Sequence, residues 1–235
     1  MTAIQTGGGK MKSRVAFLVI ALVCAASVAV SSETYLYFGA NYSNTVTTLG
    51  GASPDHAVGG NISVIADRLY AALGFVADVS NGHDLKTDEL KKIGVHGMDT
   101  SFYYVPMRIG YTFMLGVGDT SHFMIIPALA FDLHFFHADF EQKIPAYGHV
   151  YRESYDMSGW GYSLGASLNL GMQHRLNKVY LRYGVDFDVR LLTLLFADIE
   201  YSGVVNGTIS DSAFDTVADY FMLTSSPYIS IGFKL

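Results

Sequence analysis

The sequence predicts an all-β fold: a transmembrane, eight-stranded antiparallel up-and-down β-barrel. Three observations carry this reading. Half of the 235 residues are hydrophobic yet only 15% are charged, where soluble domains carry about 25%. Beyond Val30 the apolar residues fall on alternate positions over long segments. The connections between those segments alternate between short and long. A bundle of membrane helices needs about 20 consecutive apolar residues per span. The best later candidate, Ile109 to Phe131, is broken by Gly116, Gly118, Asp119, His122 and Pro127, which read as a hairpin instead.

The chain divides into a leader and a barrel. Lys10, Lys12 and Arg14 precede an uncharged run from Val15 to Val30 that ends in small residues. That is the layout of a secretory signal peptide. Ser27-Val28-Ala29 fits the small-x-small pattern, so cleavage is expected after Ala29, giving a 1–29 leader and a 30–235 barrel. Met11 gives a leader of conventional length as an alternative start. Cys24 is the single cysteine; it follows Leu22-Val23, a poor lipidation context, and it leaves with the leader. Removal of the leader leaves 12 basic against 21 acidic residues, a net charge of −9. A basic nucleic-acid footprint is absent from such a chain.

Each strand is expected from its period-two pattern. The clearest, 159–173, places Trp160, Tyr162, Leu164, Ala166, Leu168, Leu170 and Met172 on one face and small or polar residues on the other. The next, 178–191, alternates Val179, Leu181, Tyr183, Val185, Phe187, Val189 and Leu191 with Arg182, Asp186, Asp188 and Arg190. Four charges on one face suit a hydrated lumen, and the length suits a tilted membrane strand. The remaining strands are expected at 34–43, 59–67, 69–79, 101–115, 121–136 and 217–235. The outward rows include Leu36 to Tyr42, Ile62, Val64 and Ala66, Leu69 to Val79, Tyr103 to Phe113, Phe123 to Phe135, and Ile229 to Leu235 on alternate residues.

Short connections near Asp67-Arg68, Val117 to Thr120 and Arg175 to Asn177 define one rim. Long polar ones at 44–58, 80–100, 137–158 and 192–216 define the other. Short turns on one side, long loops on the other and an even strand count describe bacterial outer-membrane barrels, whose closure satisfies every backbone group in lipid. Both chain ends then lie at the periplasmic rim. Tyr42, Tyr103, Phe135 and Trp160 near one rim, with Phe113, Phe123 and Phe233 near the other, form the aromatic girdles such barrels place at headgroups. Outer-membrane lipid is therefore one expected partner. The alternating C-terminal segment ending at Leu235 suggests recognition by barrel-assembly machinery.

No catalytic, metal or cofactor motif stands out, and an enzyme is not expected. His134 and His137 fall on opposite faces of a strand, while His122, Asp132 and His134 share one as polar lumen or rim residues. Asp186 and Asp188 are flanked by Arg182 and Arg190, the pattern of an internal ion-pair network. A Ser/His site assembled from separate strands stays open as the alternative. The inward rows nominate Phe102, Tyr104, Arg108, Met124, Ile126, Asp132, His134, Tyr180, Arg182, Asp186, Asp188 and Arg190 as lumen-lining residues. Eight strands enclose little more than these side chains and one small ligand. The mixture allows a plug of ion pairs below with an apolar pocket above.

Several landmarks follow one another in order: Val105-Pro106-Met107, Ile126-Pro127-Ala128-Leu129-Ala130-Phe131, Ser158-Gly159-Trp160-Gly161, Leu176-Asn177-Lys178, Ser226-Pro227-Tyr228 and Gly232-Phe233-Lys234-Leu235. In order and spacing the chain resembles the OmpW family of small outer-membrane barrels, with a terminal Leu in place of the usual aromatic. The resemblance implies a narrow hydrophobic pocket open to the outside, with small apolar molecules leaving sideways through the wall. The alternative is a surface protein whose four loops bind host or matrix molecules or resist defence factors. Its candidate surfaces are 80–100, with Asp84, Lys86, Asp88, Glu89, Lys91 and Lys92, and 192–216.

Overall fold

The computed structural model describes residues 33–47, 56–79, 95–146, 149–205, 208–219 and 222–235. The expected leader and its Ala29 cleavage point lie outside them, as do the charged residues named in 80–94. Ten strands are present: β1 (Thr34–Thr47), β2 (His56–Ala66), β3 (Leu69–Asp78), β4 (Val95–Tyr111), β5 (Phe113–Gly116), β6 (Ser121–Ala146), β7 (His149–Leu176), β8 (Val179–Val205), β9 (Thr208–Asp219) and β10 (Met222–Lys234).

They make eight staves. β5 resumes β4 after Thr112 and pairs with the same neighbour, β6. β9 and β10 pair in succession with the upper and lower parts of β8, so they form one stave as well. Every pairing is antiparallel, and β10 closes the sheet by pairing with β1 from Tyr35↔Lys234 to Thr47↔Met222. Closure removes sheet edges, which a β-protein in lipid requires. Among the described residues no helix is long and apolar enough to cross a membrane.

The short-turn rim is where the alternation placed it. Residues 67–68, 117–120 and 177–178 connect the strands there. Asp67 and Asn177 adopt positive φ, 53° and 61°, a conformation their short polar side chains tolerate. The outward rows meet lipid with Leu129, Leu191, Leu69, Ile109, Ile229 and Phe75 all more than half exposed. Val64 and Ala66, expected in that row, are instead buried. Both are short and sit beside larger cross-strand neighbours, Leu36 and Leu69.

The long-loop side corrects the sequence reading. The stretches 137–158 and 192–216, expected as loops, are mostly strand: β6 and β7 stay paired from His137↔Ser158 to Ala146↔His149, and β8 and β9 from Leu194↔Asp219 to Val205↔Thr208. The reason is physical. A ladder is held by backbone hydrogen bonds and continues without lipid, while the apolar alternation that reveals a membrane strand stops at the headgroups. Beyond Phe135 and Trp160 the outward row turns polar, with His137, Asp139 and Glu141 facing Ser158, Asp156 and Ser154 across the ladder.

Candidate functional site in the barrel lumen

The inward residues of the staves fill the barrel in three storeys. The lowest, nearest the short turns, is an apolar and aromatic floor of Tyr37, Ile65, Tyr70, Met124, Ile126 and Tyr180. Tyr37 reaches across to donate a 2.8 Å hydrogen bond to Gln173 Oε1. Arg182, at the top of this floor, is only 2% exposed. Its guanidinium lies 4.9, 5.2 and 5.7 Å from the ring centres of Tyr228, Tyr70 and Tyr37. It donates to Tyr228 Oη at 3.1 Å, Asn169 Oδ1 at 3.0 Å and Ser63 Oγ at 3.5 Å. A cation desolvated over aromatic faces is stabilised by their quadrupoles.

The middle storey is a closed ionic ring from β4, β6 and β8. Arg108 grips Asp188 with two parallel bonds, Nε at 3.0 Å and Nη2 at 2.9 Å, and donates through Nη1 to Asp132 at 2.7 Å. Arg190 donates through Nε to Asp132 and approaches Asp188 at 3.5 Å through Nη2. Two positive and two negative groups thus neutralise each other, the condition on which buried charge is tolerated. The sequence pointed to Arg182 and Arg190 as partners of Asp186 and Asp188. Instead Arg108 supplies the main partner, and Asp186 takes a hydrogen bond from Asn169 Nδ2. Arg182 and Asp186 are four residues apart on one strand, roughly 13 Å along it, so facing staves supply the contacts.

The upper storey joins polar and apolar groups. Ser163 donates to Asp132 Oδ2 at 3.4 Å and lies 2.9 Å from His134 Nε2. Phe102 and Tyr104 cover His134, with ring centres 5.6 and 5.7 Å from it. They pack with Ala57, Val76 and Phe136 into a second apolar cluster. Tyr104 Oη donates to Ser43 Oγ at 3.4 Å, and Ser43 meets Ser226 at 2.8 Å across the closing seam. Four buried atoms of the middle and upper storeys have no hydrogen-bond partner among the described residues: His134 Nδ1, Arg190 Nη1, Thr193 Oγ1 and Asn41 Oδ1.

A cavity of about 40 Å³ opens beside the ring, against β2 and β3, lined among others by Asn41, Gly60, Gly74, Val76, Tyr104, Pro106, Arg108 and Asp188. The backbone ladder there skips two pairs without changing register. The β3–β4 ladder passes from Leu73↔Met107 to Val76↔Tyr104, omitting Gly74 and Phe75 opposite Val105 and Pro106. Pro106 has no N–H to donate. A Cβ on Gly74 would sit 2.8 Å from Pro106 Cγ, so only glycine admits the ring there.

The twelve nominated residues all lie in this interior, Met124, Ile126 and Tyr180 in the floor, Arg182 and Asp186 above it, and Phe102, Tyr104, Arg108, Asp132, His134, Asp188 and Arg190 in the ring and upper storey. An ionic layer does lie beneath an apolar cluster, with a second apolar layer under both. Ser163, Asn169 and Tyr70 escaped nomination, although their inward parity beside Tyr162, Leu168 and Leu69 was available; Thr193 fell in the stretch expected as a loop, and the irregularity between Arg190 and Leu192 turns it inward although its odd number continues the outward row. His137 lies on the outside, 3.0 Å from Asp139 and 3.5 Å from Asp156.

A closed eight-stranded barrel with an apolar exterior and buried charges inside defines a small bacterial outer-membrane barrel. The chain belongs to the outer membrane protein beta-barrel domain family, which matches residues 15–220. No curated protein matches the chain. Among solved structures it is similar to a major outer membrane protein from Thermus thermophilus, at 11% identity and TM-score 0.43, covering 86% of this chain and 99% of that one. It is also similar to Neisserial surface protein A, at 13% identity and TM-score 0.41, covering 86% and 97%. A third is Ail, the attachment invasion locus protein of Yersinia pestis, solved with the heparin analogue sucrose octasulfate, at 9% identity and TM-score 0.40, covering 88% and 100%.

Proposed function

We propose that this barrel takes up small hydrophobic molecules passively, without chemistry, holding them in the upper lumen and releasing them sideways into the membrane. The observation that carries this reading is the gap in the β3–β4 ladder with a cavity behind it. A molecule that passes the Phe102–Tyr104 cluster meets the ionic ring and the tyrosine floor below, where burial and ion pairing oppose further descent. The wall at Gly74 and Pro106 offers the lower barrier, because one backbone bond is already missing there.

The test uses vesicles with a lipopolysaccharide outer leaflet and the full chain inserted. Uptake of a small apolar solute is expected to rise with the wild type and to fall severalfold in Pro106→Val, which restores an N–H to the ladder. Uptake unchanged by the wild-type barrel ends the reading.

A second reading has its own support in the paired strands that continue past the outer girdle. They carry exposed Asp139, Glu141, Asp156, Asp198 and Glu200 and suit a surface that binds host or matrix molecules. Exchange of the segments beyond the girdle on that side, including 80–100 and 192–216, is the corresponding test. Adhesion that survives the exchange removes it.

A further inference from the structure

We propose that the upper lumen selects small apolar molecules that carry one hydroxyl group, an alcohol or a phenol. This rests on the uptake reading above and names its substrate class. Three neighbouring side chains bring it: His134 and Arg190 are each 1% exposed and Thr193 is fully buried, yet each has a polar atom without a partner among the described residues. Burying such an atom unpaired costs about 1–3 kcal/mol, so three together mark a place built for a polar visitor.

They border one another through the Asp132–Ser163 pair. Arg190 Nε bonds Asp132, Ser163 donates to that same carboxylate, His134 Nε2 meets Ser163, and Thr193 stands directly across the ladder from Ser163. The direction of these bonds fixes what is left over. Assigning the single hydrogen of Ser163 to the Asp132 carboxylate, which can only accept, has His134 Nε2 carry the proton and donate to Ser163. His134 Nδ1 is then a bare lone pair. Arg190 Nη1 can only donate, and the Thr193 hydroxyl can do either. An acceptor and a donor on residues that flank the same Asp132–Ser163 pair match a hydroxyl group, which can give its hydrogen to Nδ1 and receive one from Arg190. A hydrocarbon leaves all three atoms unpaired, and a carboxylate has no hydrogen for Nδ1 while setting its charge next to Asp132.

The body of the visitor has a matching surface. Phe102 and Tyr104 lie over the His134 ring, and Tyr104 also borders the cavity of about 40 Å³. That space gives the tyrosine somewhere to swing when a ring or short alkyl chain enters beneath it.

The experiment compares benzyl alcohol with toluene, molecules of similar shape that differ in the hydroxyl. In the vesicles described above, protein-dependent uptake is measured for both. With the full chain in nanodiscs, the ring ¹⁵N resonances of His134 and the methyl resonance of Thr193 are followed by NMR during each titration. Benzyl alcohol is expected to bind about tenfold tighter than toluene, the worth of one good neutral hydrogen bond, and to move the Nδ1 resonance. Thr193→Val and His134→Phe, each checked for a heat-modifiable band, are expected to bring the ratio towards one. Two solutes taken up equally, or a His134 resonance that ignores benzyl alcohol, overturn the inference and leave the uptake reading intact. No protein-dependent uptake of either overturns both.

Discussion

Two arginines on β8, at different depths in the lumen, are solved in opposite ways. Among the described residues Arg182 has no direct carboxylate bond; three tyrosine rings and the neutral oxygens of Tyr228, Asn169 and Ser63 surround it, and every nitrogen is engaged. Arg190 has two carboxylates, yet its Nη1 is left without a partner among the described residues. The lower site is therefore finished and the upper one is not. Full satisfaction marks a structural seal, whereas leftover hydrogen-bonding capacity beside an apolar cluster marks a place for something that comes and goes.

Four substitutions sharpen or break that contrast. Asp132→Asn is expected to have the largest effect, because it strips a charge from a ring that then holds two buried guanidiniums against one carboxylate. A loss of about 3–5 kcal/mol is the usual outcome, read as a lower temperature for the heat-modified band. Because the pair is buried, added salt should restore little. Arg182→Met comes next, with about 2–3 kcal/mol lost through the ring contacts and hydrogen bonds. If it costs nothing, the floor is not a seal.

Gly232→Val acts on the same floor by volume alone. Its new Cβ meets the Tyr37 ring, and overpacking of this kind costs about 1–3 kcal/mol. Thr193→Val is the smallest, within about 1 kcal/mol and in the stabilising direction, since it removes a hydroxyl that is buried without a partner among the described residues. A large loss at Thr193 would show that its hydroxyl is already spent on structure, and the contrast between the two storeys would collapse.

The alternation revealed most of what lipid touches. A residue such as Leu129 or Ile231 announces its face because its neighbours on both sides are different in kind, and the membrane penalises every exception. The same rule failed above the girdle, where water accepts either face and Asp139 or Glu200 look like loop residues although they sit in ladders. Inside the barrel, residue type was legible but partnership was not. Arg108 and Asp188 are 80 positions apart, and only the closed cylinder with its register brings them together. Ser163 and Thr193 are small residues whose importance depends on being opposite each other, a fact no single strand contains.

The seam between β1 and β10 carries a consequence for how the protein is made. The first described strand must wait for the last before it gains its second neighbour. Several interior and rim contacts span long intervals of the same kind: Tyr37 to Gln173 across 136 positions, Ser43 to Ser226 across 183 and Lys234 to Glu33 across 201. Contacts so distant in sequence make for slow assembly, and the entropy of joining such distant positions is spent before any of them forms. A sheet of seven staves has neither a filled floor nor a covered edge. Insertion, interior packing and cylinder closure are for this chain a single event, and the barrel is whole or it is nothing stable.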